Sequence, residues 1–114
     1  MRRLARKQCT PRGRGEKPLP PDRVRELARE VPGWELNDAQ THLFREEQFR
    51  DFHETMAFAN AVAWVAHCQD HHPEMEVGFS WCLVRFSTGA VDGLTENDFI
   101  CAARINLLLD AGKT

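Results

Sequence analysis

No stretch of this chain reaches 18 consecutive apolar residues, which excludes a hydrophobic membrane-spanning helix. No two cysteines form a C-x-x-C pair; the four stand at positions 9, 68, 82 and 101. That spacing supports neither a zinc ribbon nor a thioredoxin-type dithiol. Internal repeats and low-complexity tracts are lacking, as are the Gly, Pro or Cys excesses of collagen-like, disordered and disulfide-stapled chains. The first residues have no apolar stretch of the secretory type. They are Arg-rich like a transit peptide, but short and broken by Pro11, Gly13 and Gly15. Net charge is also scarce, −2 over 114 residues. What remains is 42% apolar residues on a length that fits one domain. A chain of this size buries roughly two-thirds of its unfolded surface, enough for one core without staples.

The small net charge hides an uneven distribution. Residues 1–20 carry seven basic groups against Glu16, a balance of +6, while residues 21–114 hold 8 basic and 16 acidic groups, a balance of −8. We therefore divide the chain into a basic, Pro/Gly-rich arm over 1–20 and a folded domain over 21–114. A basic arm on an acidic body points to an anionic partner, either nucleic acid or an acidic protein surface, or else to a solvated tail. The body has no nucleic-acid-binding motif, which makes the nucleic-acid reading the weakest. Cys68, Cys82 and Cys101 lie in apolar runs and read as small buried hydrophobes in a reducing cytoplasm.

Pro21-Asp22 opens a short helix carrying Val24, Leu27 and Val31, stopped by Pro32-Gly33. Strands are expected at 34–37 and 41–49, separated by Asn37-Asp38. The clearest element is a helix over 51–69 with Asp51 as N-cap; Ala57, Phe58, Ala61, Trp64 and Val65 make it apolar nearly all round. Such a helix is covered on more than one side, or lies at a subunit interface. Met75, Val77 and Phe79 mark one face of a half-buried strand, and Cys82, Val84 and Phe86 mark another. Thr95-Glu96-Asn97-Asp98 reads as a capping-box entry to a last helix. Helix, two strands, helix, two strands, helix is an α+β pattern.

The densest polar cluster is His67-Cys68-Gln69-Asp70-His71-His72-Pro73. Three readings compete for it. His67 and His71 at i, i+4 share a helix face if the helix runs that far, and with His72 or Asp70 they could hold a metal. The histidines could instead cap helix carbonyls. Or they could exchange protons with a bound organic substrate, since imidazole titrates near neutrality.

The run His67-x-x-x-His71-His72-Pro73, with Phe79 beyond it and Gly93-Leu94-Thr95-Glu96-x-Asp98 further on, resembles the pterin-4a-carbinolamine dehydratase family. Cys9-x-Pro11 with Gly13, Gly15 and Pro18-Leu19-Pro20 resembles the family's opening, and Gly33-Trp34 falls where the family places its Gly-Trp. The resemblance implies a four-stranded antiparallel sheet with helices packed on one face, assembled as a homodimer or homotetramer. It implies removal of the 4a-hydroxyl from a 4a-hydroxytetrahydropterin to give a quinonoid dihydropterin, which needs an acid and a base but neither metal nor redox cofactor. His71 and His72 match two of the family's three histidines, and Asp98 matches its carboxylate. His67, Phe79 and Thr88 join Asp98 as expected binding residues.

The third family histidine falls on Gly89, which has no proton to give or take. The usual companion of the first cysteine is also missing, with Arg12 nearby. The resemblance thus carries two expectations. One is an impaired dehydratase site on a protein of assembly or chaperone type, similar to the RuBisCO assembly factors of α-carboxysomes. The alternative is an active 4a-hydroxytetrahydrobiopterin dehydratase in which His67 or a water stands in for the missing group.

Overall fold

A computed structural model describes residues 3–112. Helix α1 spans Pro21–Ala28, with proline at its first position where no intrahelical N–H is needed. Val24 and Leu27 are buried, and so is Val31, which lies beyond the helix end rather than on it. Gly33 then reverses the chain at φ 87°, a left-handed backbone over which the Arg45 guanidinium lies in the place of a Cβ. Strand β1 (Glu35–Leu36) is shorter than expected and pairs with β2 (Leu43–Gln48). Asn37 holds the intervening turn, its side-chain oxygen accepting from the Thr41 and His42 backbone N–H groups.

Helix α2 runs over Phe52–Gln69, and the Asp51 carboxylate accepts from Glu54 N at 2.8 Å. Such a cap contributes about 1 kcal/mol. Strands β3 (Glu74–Val77) and β4 (Trp81–Phe86) form a hairpin closed by Gly78 N–H on Trp81 O at 2.9 Å. Helix α3 covers Glu96–Ala111. The four strands are antiparallel in the order β1-β2-β4-β3.

The α+β expectation with helices on one side of the sheet holds. Cys82, Val84 and Phe86 point from β4 into a core shared with Phe58 and Val62 of α2 and Phe99 and Ile105 of α3. Trp81, Leu83 and Arg85 point the other way and stay partly exposed. Among the described residues no helix is long and apolar enough to cross a membrane.

Three local expectations need correction. Val77 is exposed, and Phe79 is 68% exposed in the turn after β3, because β3 is an edge strand of the sheet and none of the described residues covers its outer side. Phe79 stacks instead on Phe52 at 6.2 Å. Cys68 is exposed, on the outward side of α2, while Cys82 and Cys101 are buried as expected. Trp64 is 65% exposed in the single chain, so of the two expected settings for α2 the subunit interface is the one left open.

The third correction concerns the arm. The composition boundary at residue 20 is not a packing boundary. Leu4 and Ala5 sit in a short 3-10 turn and are buried in the core cluster. Arg3 pairs with Glu30 at 2.7 Å and Lys7 with Glu96 at 3.0 Å, so part of the arm's basic charge is met by the body's own carboxylates. These exposed pairs contribute little energy. They account for two of the seven basic groups over residues 1–20.

Candidate active site

Helix α2 ends in a Schellman motif: Asp70 adopts the left-handed conformation (φ 50°), its N–H bonds to His67 O at 3.3 Å, and His71 N–H bonds to Ala66 O at 3.1 Å. The chain therefore leaves the helix axis before His71. His67 and His71 do not share a helix face, and the metal reading loses its geometric basis. Among the described residues no three His, Cys, Asp or Glu side chains group to hold a metal ion. His67 remains on the helix, against the Trp64 ring at 5.2 Å.

His71 turns inward. Its ring lies parallel to Phe86 with centroids 5.8 Å apart, and its Nε2 is 2.6 Å from Asp98 Oδ1. The Asp98 side chain has no solvent exposure and the His71 side chain 11%. The other Asp98 oxygen accepts from the Thr88 hydroxyl at 2.7 Å and from the Thr95 backbone N–H at 2.9 Å. Thr88 Oγ1 also lies 2.8 Å from Thr95 Oγ1. The contact to Thr95 N–H is the returning arm of the capping box that starts α3. One carboxylate thus caps a helix and orients an imidazole. With Nε2 engaged by Asp98, proton exchange with a ligand falls to Nδ1.

Burial pushes the His71 pKa down, but the hydrogen bond and charge of Asp98 push it up, with a further upward contribution from Cys9; the net direction is up. A raised folded-state value stabilises the fold fully below the unfolded imidazole pKa of about 6.5. That contribution disappears as pH rises through the folded value. Urea unfolding should therefore show stability falling with pH above about 6.5. The slope should be lost in His71→Gln; an unchanged slope in that variant would assign the effect elsewhere.

His71 and His72 border a cavity of about 660 Å³, together with Thr88, Gly89, Asn97 and the arm residues Cys9 to Arg12. The volume suits a bicyclic organic ligand. Of the expected site residues, the structure brings together His71, His72, Thr88 and Asp98, with Asp98 behind His71 rather than on the cavity surface. His67 and Phe79 are not on this cavity: His67 is exposed two residues before the helix ends, and Phe79 lies in the β3–β4 turn. Asn97 was not foreseen. Its side chain bonds the arm through Thr10 N (3.1 Å) and Thr10 O (2.7 Å), and accepts from Arg12 Nη2 at 3.2 Å. The capping-box signal marked its position but not its reach to a segment 87 residues away.

A buried carboxylate behind a histidine, facing a ligand-sized cavity beside an open antiparallel sheet, defines an acid–base pocket on a small α+β scaffold. The chain belongs to the family described as pterin 4 alpha carbinolamine dehydratase, whose model matches residues 17–108. A protein of Stenotrophomonas maltophilia named "Putative pterin-4-alpha-carbinolamine dehydratase" is 47% identical over 107 residues, covering 94% of this chain and 92% of that one. A protein of the same name from Xanthomonas campestris is 46% identical over 111 residues, covering 97% and 94%. Among solved structures, a transcriptional coactivator/pterin dehydratase from Brucella melitensis superposes with TM-score 0.76 at 28% identity, over 81% of this chain and 98% of that one. A pterin dehydratase-like protein identified as a RuBisCO assembly factor in the alpha-carboxysome shares the fold, with TM-score 0.58 at 22% identity over 67% and 88%.

Proposed function

We propose that this chain binds a pterin in the His71 cavity and dehydrates 4a-hydroxytetrahydropterins slowly, because one acid–base position is unfilled. The observation that carries this reading is the His71–Asp98 pair at 2.6 Å on a cavity whose wall includes Gly89. Dehydration needs a proton delivered to the leaving 4a-hydroxyl and another removed from ring N5. His71, held by Asp98 and pushed toward the charged form, suits the first task. His72, at the cavity mouth and exposed, suits proton exchange with solvent. A missing general acid or base costs about 10²–10⁴ in rate.

Purified protein should bind a stable dihydropterin and show residual dehydration that His71→Ala abolishes. A rate equal to that of a relative with histidine at this position, or residual activity untouched in His71→Ala, would overturn the reading.

A second reading, assembly with another protein, is supported by apolar surface that the single chain leaves open. Trp64 on α2 is exposed beside partly exposed Leu108 of α3. The outer edge of β3 is unpaired among the described residues, next to Val77 and the Phe52–Phe79 stack. Both places suit a second copy of the chain, as a homodimer or homotetramer, or a larger partner. The α-carboxysome protein supplies a relative of this fold that serves RuBisCO assembly. Sedimentation of wild type beside Trp64→Ser separates these occupants: a mass reduced in the variant assigns the α2 surface to self-association, and an unchanged monomer leaves it for RuBisCO or another partner.

A further inference from the structure

Two thiols far apart in sequence meet where the arm crosses α3. Cys9 Sγ lies 3.7 Å from Cys101 Sγ, a separation of 92 positions in the chain. This is van der Waals contact, and closing it to a bond of about 2.05 Å needs a movement under about 2 Å. Cys101 is wholly buried, whereas Cys9 is half-buried and lines the His71 cavity. Around them the arm is held by the packing of Leu4 and Ala5 in the core and by hydrogen bonds and ion pairs, among them Cys9 N–H to Gln69 Oε1 at 2.8 Å and Asn97 Nδ2 to Thr10 O at 2.7 Å.

We propose that Cys9 and Cys101 form a reversible dithiol–disulfide pair, oxidised by low-molecular-weight disulfides, that locks the arm onto α3 and fixes one wall of the cavity. Cys9 reacts first because an oxidant can reach it. Its thiolate attacks one sulfur of the small disulfide and releases one small thiolate, leaving a mixed disulfide. Cys101 then loses its proton, attacks the Cys9 sulfur and displaces the second small thiolate. Two protein thiols are oxidised and one small disulfide is reduced to two thiols.

The surroundings favour this order. The hydrogen bond from Cys101 lowers the Cys9 pKa, burial opposes it, and the His71 charge lowers it further; the net direction is down. The same pairing, with burial, pushes Cys101 up. Capping Cys9 removes the neighbouring negative charge and so eases ionisation of Cys101 for the second step. Cys68, exposed on the same cavity, is the competing thiol.

The test is incubation of the full chain with oxidised glutathione, followed by intact mass, non-reducing peptide mapping and thermal melting. The expected result is loss of two hydrogens from the pair, a linked Cys9–Cys101 peptide, and reversal by dithiothreitol. The midpoint should rise by roughly 10 °C, and amide exchange over residues 4–12 should slow. Cys9→Ser should lose the link and the rise while Cys68 still takes glutathione. A persistent glutathione adduct on Cys9, a link through Cys68, or an unreactive Cys9 would each overturn the proposal.

Discussion

Gly89→His raises the dehydration rate by roughly 10²-fold or more, the low end of what one placed general acid or base contributes. The backbone is ready for it. Gly89 does not adopt a left-handed φ, and a Cβ built there meets nothing within 4 Å. It opens the 3-10 turn Gly89–Val91, whose preceding residue Thr88 is fixed by its hydroxyl to Asp98 and by its N–H to Gly93 O at 2.8 Å. The new imidazole therefore starts from a rigid point on the wall that His71 also borders. Transient absorbance of the 4a-hydroxy intermediate, generated in situ, gives the rate. Gly89→Gln is the control, because it fills similar space without titrating. A histidine variant no faster than the glutamine variant would mean that the missing proton carrier is not what limits this pocket.

Asp98→Ala lowers unfolding stability by about 3–5 kcal/mol, the range for removing one member of a buried charged pair. Three donors lose their acceptor in one step: His71 Nε2, the Thr88 hydroxyl and the first N–H of the α3 cap. Asp98→Asn keeps the volume and an oxygen for the cap, so its loss should be smaller. In that variant the charge of Asp98 that raises His71 is gone while burial, the largest influence and a lowering one, remains, and the imidazole should titrate lower than in the wild type. Urea unfolding and NMR titration of His71 measure the two effects separately. An Asp98→Ala variant as stable as wild type would show that water replaces the carboxylate at no cost.

The element order was legible because α1, α2 and α3 each carry their own signal: Pro21 at a helix start, Asp51 three residues before an N–H it caps, and Thr95 three before Asp98. The sheet was legible in β4, where Cys82, Val84 and Phe86 alternate with polar or half-exposed neighbours. At β3 the same alternation misled, because period two tells which residues share a face but not whether anything covers that face. The pocket was legible in His71, His72 and Asp98 through the family motif. Its arm wall was not. Cys9, Thr10 and Arg12 reach the pocket through hydrogen bonds between segments some 90 residues apart, and no local pattern encodes a pairing at that range. Charge arithmetic gave the arm's excess but not that part of it is matched inside the molecule, Lys7 to Glu96 and Arg3 to Glu30.

The double duty of Asp98 bears on how such sequences drift. A lineage released from selection for turnover can discard whatever serves turnover alone, yet it must keep what the helix needs in order to fold. Asp98 is in the second group, and the side chain at 89, where a Cβ would meet nothing within 4 Å, is in the first. Among relatives the aspartate would then persist with the fold whatever the turnover, while the residue at position 89 would vary with it.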